Sequence, residues 1–222
     1  MLVLAGACFV LTYSRSGIVA LGVVIGIIGI IKIRSILLIG LLAGCLAFSF
    51  SDRVAERVMG LVDGGISLVT GSLDYDLDVT SQKRVESWAE NLALVEDHYL
   101  YGMGYNTLEF RKLDKGIIAS GDVHSASGSD SSILNILLTT GVIGSLSFLF
   151  LYWSFCKEAF LLFIHKKTSL FQKGFGLGMF AGLLGIFVHS FFVNSLLFPL
   201  FLMTLVPLWA AIDTLALKRR AD

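Results

Sequence analysis

The sequence predicts an all-α integral membrane protein with about six transmembrane helices and one large, mainly helical external loop. Three observations predict it. Of 222 residues, 55% are hydrophobic and the mean hydropathy is +0.81, too apolar for a single soluble domain. The apolar residues come in long runs rather than in a periodic stripe. Charge is also divided unevenly: residues 51–131 hold 14 of the 17 acidic residues and 7 of the 17 basic ones, which leaves 3 acidic and 10 basic for the rest. The formal net charge of zero therefore conceals an acidic polar segment and a set of basic connections.

The chain divides into residues 1–50 (membrane helices one to three), 51–131 (external loop), 132–217 (membrane helices four to six) and 218–222 (a basic tail). The first apolar run, residues 2–13, is short, because about 20 residues are needed to cross ~30 Å of hydrocarbon. The second covers residues 16–31, the third 35–50, the fourth 132–155, the fifth 174–193 and the sixth 195–217. Glycine is frequent within these runs, as close helix packing in a membrane allows. Met1 is followed directly by apolar residues, without the basic n-region or cleavage pattern of a secretory signal. Cys8, Cys45 and Cys156 all lie in apolar runs, which suggests buried thiols rather than a disulfide framework or a metal cluster.

Orientation follows from lysine and arginine. Lys32 and Arg34 join runs two and three; Lys157, Lys166, Lys167 and Lys173 join four and five; Lys218, Arg219 and Arg220 follow six. Alternating spans put all three sites on one side, the cytoplasmic one by the positive-inside rule. The 51–131 segment, the Ser14–Arg15–Ser16 junction and the Val193–Asn194–Ser195 turn then lie outside. Within the segment, apolar residues at Val54, Val58, Leu61, Val62 and Ile66 approach helical spacing, and residues 71–80 form a loop. Residues 81–96 read as an amphipathic helix with Val85, Trp88, Leu92 and Val95 on one face and Thr80 or Ser81 as its cap. Gly102-Met103-Gly104 ends that region. A Gly-, Ser- and Asp-rich loop, residues 116–129, returns the chain to the membrane at Asp130.

Candidate chemistry gathers on the external side. Arg15 lies at a membrane boundary, where a cation either snorkels to lipid phosphates or faces an anionic partner through its bidentate fork. Arg84 and Trp88 share a helical face four residues apart and either stack at the surface or serve a ligand. Gly102 and Gly104 permit close backbone approach, although Gly-x-Gly alone is a weak signal. Asp130 reads either as a cap for the following helix or as a catalytic carboxylate. His124, six residues earlier, is a proton acceptor or a solvated side chain. Asp74, Asp76 and Asp78 form an alternating acidic loop whose spacing does not define a metal site.

These motifs in this order resemble the carboxy-terminal part of the O-antigen ligase and polymerase superfamily. The match rests on Thr12-x-Ser14-Arg15-Ser16-Gly17 at a membrane boundary, on Arg84-x-x-x-Trp88 leading to Asp97-His98-x-x-x-Gly102-x-Gly104, and on a return motif ending in Gly141-x-x-Gly144. The large external loop adds to it. In the ligases the return motif begins with histidine, then Asn, Ser or Gln, nine residues and Gly-x-x-Gly. Here Asp130 holds the histidine position and His124 does not keep the spacing. That departure favours the polymerase or exopolysaccharide branch over the ligase, which transfers finished polymer to a lipid core.

The resemblance implies a glycosyltransferase of the bacterial inner membrane that acts on polyprenyl-diphosphate-linked saccharides in O-antigen, lipopolysaccharide or exopolysaccharide synthesis. It implies no cofactor, metal or nucleic acid. By the same resemblance, Arg15 and Arg84 stabilise the leaving diphosphate. Asp130, or less readily His124, accepts the acceptor hydroxyl proton. Trp88, Tyr101 and Tyr105 pack on sugar faces. Family members carry more membrane helices than this chain, so an amino-terminal half or a chain-length regulator is an expected partner. A truncated, inactive fragment is one competing expectation. A transporter component is another, but it needs ionisable groups in the membrane interior, and runs two, three and four hold essentially none.

Overall fold

The structure, a computed structural model, describes the backbone of residues 6, 8–9, 11–12, 14–40, 42, 79–116 and 129–221. The side chains of residues 79–86, 97 and 218–221 fall outside that description. So do the expected helix at 52–69, the Asp74–Asp76–Asp78 loop, Cys45 and His124. Every described element is helical. The chain forms two compact units, Met1–Lys83 and Arg84–Asp222.

In the first unit, α1 (Arg15–Ile31) corresponds to the second apolar run. Its start is set by Ser14, whose hydroxyl accepts from the Gly17 amide at 3.2 Å as an N-cap. At Lys32 and Ile33 the chain turns, and residues 34–40 are helical again. Small residues bring the two arms together. A Cβ at Gly29 would overlap the Leu37 side chain, and one at Gly40 would lie 3.0 Å from Ile25 Cγ2. The Lys32–Arg34 connection is therefore a tight helical hairpin, of the close-packed type that membranes favour.

α2 (Val79–Val95), which enters the second unit at Arg84, runs into a 3-10 turn at Glu96–His98, and α3 (Leu108–Asp114) follows. Thr80 and Ser81 lie inside α2 instead of capping it, because the helical pattern extends N-terminally past both. Three long apolar helices complete the unit: α4 (Ser132–Ile164), α5 (Leu170–His189) and α6 (Pro199–Ala221). Each of the three has the length and hydropathy to cross a membrane, whereas α1 is shorter. This is a helical membrane protein.

The bundle of α4, α5 and α6 packs on aromatic and small residues. Ile136, Tyr152, Cys156, Leu183, Leu196 and Leu205 form its core. Tyr152 donates its hydroxyl to the Leu183 carbonyl at 2.6 Å, which ties α4 to α5. Phe155 stacks on Trp209 with centroids 4.2 Å apart, which ties α4 to α6. A smaller core of Leu94, Leu108 and Leu138 fastens α2 and α3 to the start of α4.

Two helix boundaries correct the sequence expectation. α5 begins at Leu170 because Ser169 and Gln172 form a reciprocal capping box. α4 does not stop at Phe155 but continues to Ile164, since no Gly or Pro interrupts it. Lys157 and Glu158 are thus helical and, with Ser154 and Asp213, line a cavity of about 310 Å³. Lys157 is 7 residues from the end of α4, or roughly 10 Å at 1.5 Å per residue, within reach of the interface.

Candidate functional site

Two of the motifs that the sequence singled out, Gly102-x-Gly104 and Gly141-x-x-Gly144, meet in the first part of α4. The helix is broken within its length. Gly141 has φ +66° and ψ −168°, a conformation essentially confined to glycine. The break deprives two amides, Val142 and Ile143, of the Leu138 and Thr139 carbonyls they would meet in a continuous helix. The 99–104 segment replaces all four partners. Met103 donates to Leu138 O at 2.8 Å and Gly104 to Thr139 O at 3.0 Å. Val142 donates to Tyr99 O at 2.8 Å and Ile143 to Leu100 O at 3.3 Å. A helix break in an apolar setting survives only if every freed backbone group finds a partner, and here each one does.

Glycine makes this interlock possible at both ends. A Cβ on Gly102 would come within 2.5 Å of the Gly141 and Thr140 nitrogens, and a Cβ on Gly141 within 2.5 Å of the Gly102 nitrogen. Gly102 and Gly104 have φ of +73° and +92°. The backbone that Gly102 approaches closely is thus that of α4. Gly144 leaves room for the Thr140 side chain. Two motifs some 40 residues apart in sequence form one structural joint. Tyr101 and Tyr105 flank it, 77% and 84% exposed.

The other end of this short helical stretch is stitched to the α5–α6 turn. Ser131 caps α4, its hydroxyl accepting from the Leu134 amide at 3.2 Å, and it also donates to Ser190 O at 3.2 Å. Ser132 donates its backbone amide to Ser190 O at 2.9 Å and its hydroxyl to Val193 O at 2.9 Å. The same hydroxyl accepts from the Leu196 amide at 3.1 Å. The capping expected of Asp130 is therefore carried by Ser131. Asp130 sits one residue before the cap, with its side chain exposed.

α2 faces the same corner. Trp88 lies 6.3 Å, centroid to centroid, from Phe192 in the α5–α6 turn. Trp88 Nε1 and Asn91 Oδ1, one helical turn apart, are buried without a hydrogen-bond partner among the described residues. Arg84 belongs to α2, four residues before Trp88; its side chain is outside the described residues, as is all of His124. Arg15 opens α1 in the other unit, half-buried, beside the Ser14 cap. The first turn of α1 has no acidic residue. A helix N-terminus, whose amides carry partial positive charge, coincides there with a full cation.

One charged residue at this corner was not singled out from the sequence. Lys112 on α3 is only 3% exposed. Its Nζ lies 3.9 Å from Glu90 Oε2 of α2. Burial lowers its pKa from the usual 10.5, while Glu90 and Asp130 act in the opposite direction by favouring the ammonium. The available signal was its position four residues after Leu108, on the face that α3 buries.

Among known protein families, the one described as O-antigen ligase (Wzy_C) matches residues 1–149. The match takes in Arg15, α2, the interlocked glycines, Lys112 and Asp130. No curated protein and no solved structure matches the chain.

Proposed function

Since this chain belongs to the O-antigen ligase family, matched over 149 of its 222 residues, we propose that it is a membrane glycosyltransferase that polymerises polyprenyl-diphosphate-linked saccharides. The observation that carries this reading is the exposed carboxylate of Asp130 at the start of α4, where capping falls to Ser131. An exposed aspartate without a capping task, at the mouth of a membrane helix, suits proton abstraction from a sugar hydroxyl. The six spans, the 51–131 segment outside, the cytoplasmic tail and the inner-membrane location form part of the proposal, supported by the charge asymmetry of the connections.

In this reaction the acceptor hydroxyl attacks the anomeric carbon of the lipid-linked saccharide. The bond from that carbon to the diphosphate oxygen breaks, and the hydroxyl proton passes to Asp130, with His124 the less favoured acceptor. Negative charge builds on the departing lipid diphosphate, and Arg15 and Arg84 are each a candidate cation for stabilising it. Arg15 is favoured for this by its place at the α1 N-terminus. Trp88, Tyr101 and Tyr105 offer flat faces for sugar rings. The aspartate where a ligase has histidine supports polymerisation over transfer to a lipid core.

The test is complementation of a strain lacking its own copy, scoring the surface polysaccharide beside Arg84→Ala and Asp130→Ala. Loss of polymerase leaves single-repeat product; loss of ligase leaves finished polymer on its lipid carrier. Unchanged polysaccharide in both variants rejects the site.

A further inference from the structure

We propose that residues 99–101 form a membrane contact: Tyr99, Leu100 and Tyr101 lie in the lipid interface, so that this part of the polar 51–131 segment dips to membrane depth. Only the crossing of α4 is required, not the chemistry above.

The depth follows from α4. From Ser132 to Cys156 the helix holds no charged residue, and Lys157 is the first. Gly141 lies 16 residues before Lys157, about 24 Å at 1.5 Å per residue. With the Lys157 Cα at the far edge of a ~30 Å hydrocarbon layer, Gly141 is about 6 Å inside the near edge. With the end of α4 at the far edge instead, Lys157 snorkels from about 10 Å deep and Gly141 is about 4 Å outside the near edge. Both bounds keep Gly141 at the boundary between hydrocarbon and headgroups.

The 99–104 segment shares that depth. Met103 and Gly104 donate to the Leu138 and Thr139 carbonyls before the break, and Tyr99 and Leu100 accept from the Val142 and Ile143 amides after it. A Cβ on Gly102 would overlap the Gly141 nitrogen. Segment and helix belong to one compact unit.

Several features identify lipid as the occupant. Tyr99, Leu100 and Tyr101 are 56%, 42% and 77% exposed, three large side chains in a row. Ile143, bonded to Leu100 O, is itself exposed, and Leu146 and Phe150 continue the exposed apolar surface along α4, where the bilayer lies. The patch is therefore an extension of the lipid-facing surface of the helix. Residues 51–131 hold 14 acidic and 7 basic residues, yet residues 99–108 hold none. Tyrosine suits such a boundary, with its ring in the apolar layer and its hydroxyl in water. Irregular backbone at this depth needs partners within the protein. The amides of Gly102, Met103 and Gly104 and the carbonyls of Tyr99 and Leu100 all have one. At headgroup level Tyr101 also stands where the first sugars of a lipid-linked saccharide lie, so contact with lipid and packing on a sugar ring are compatible.

The test is spin-label accessibility in the whole chain, reconstituted at a high lipid-to-protein ratio in vesicles of phosphatidylethanolamine and phosphatidylglycerol. Tyr99→Cys, Leu100→Cys and Tyr101→Cys each carry the label in a Cys8→Ala, Cys45→Ala, Cys156→Ala background. Glu96→Cys, exposed in the 3-10 turn, calibrates water, and Phe150→Cys, 77% exposed on α4, calibrates hydrocarbon. The ratio of oxygen to nickel-chelate collisions at Leu100→Cys and Tyr101→Cys is expected to lie above that of Glu96→Cys and below that of Phe150→Cys. A ratio equal to that of Glu96→Cys marks a solvated loop and overturns the proposal. So do low collision rates with both reagents, which mark a surface covered by a second copy or by another protein. A second measurement needs no substitution: the wild-type chain is irradiated in the same vesicles with a phospholipid that carries a diazirine near the top of its acyl chain. Adducts are expected on residues 99–101 as well as on α4; adducts confined to the long helices overturn the proposal even where a cysteine variant fails to fold.

Discussion

Replacing Gly141 with alanine tests the joint between the 99–104 segment and α4. In the wild-type arrangement Gly141 occupies a φ/ψ region that costs a residue with a Cβ about 1–3 kcal/mol. The new methyl group would also press on the Leu100 carbonyl and the Gly102 nitrogen. Alanine has an alternative. If residue 141 turns right-handed, Val142 and Ile143 bond to Leu138 and Thr139, and α4 becomes continuous. Alanine favours that helical state over glycine by about 1 kcal/mol.

The two effects add, because one raises the docked state and the other lowers the undocked state. Together they shift the balance by about 2–4 kcal/mol, or roughly 30- to 1,000-fold at 1.4 kcal/mol per factor of ten. Amide hydrogen exchange in detergent reads this directly. Met103 and Gly104 are expected to lose protection by that factor, because their acceptors return to the helix. Val142 and Ile143 are expected to stay protected, because they exchange one partner for another. Equal loss at all four amides would mean that α4 unravels instead of healing. Unchanged protection at Met103 and Gly104 would mean that the interlock does not depend on glycine geometry. Either result refutes the reasoning.

Two further outcomes are expected. Ser132→Ala removes the hydroxyl that serves both Val193 O and the Leu196 amide, leaving two backbone groups at a buried junction without it; at about 1–3 kcal/mol for each buried group left unsatisfied, thermal unfolding in detergent should fall clearly, and an unchanged midpoint would show that this turn does not hold α4 to α6. Lys112 gives a pH dependence of definite sign: its pKa is lowered in the folded chain, chiefly by burial, so between that value and 10.5 the unfolded chain binds more protons and stability rises with pH. Lys112→Met, with Glu90 and Asp130 still present, should remove this rise from denaturant titrations run up to pH 10.5.

Much of the membrane architecture was legible because it depends on local composition. Long apolar runs must become helices in hydrocarbon, whatever surrounds them, since only a helix satisfies its own backbone there. The extension of α4 through Lys157 and Glu158 is not legible from the apolar run, which ends at Phe155 where charge begins. A helix has no cause to stop at residues that snorkel to the interface.

The glycines show where sequence reasoning ends. Gly102, Gly104, Gly141 and Gly144 could each be read as places where backbone does something unusual. That Gly102 faces Gly141, and that the 99–104 segment supplies the hydrogen bonds α4 gives up, is a pairing across some 40 residues that no local pattern encodes. The same holds for charge. Lys112 in a polar segment looks solvated until the fold buries it with Glu90 of α2 nearby. By itself the sequence determined a family, a set of apolar helices and a short roster of reactive residues, because these follow from residue type and spacing. Tertiary structure alone decided that Ser131 rather than Asp130 caps α4, and that a lysine of the polar segment is buried with Glu90 near its ammonium, because burial and partnership belong to the folded chain.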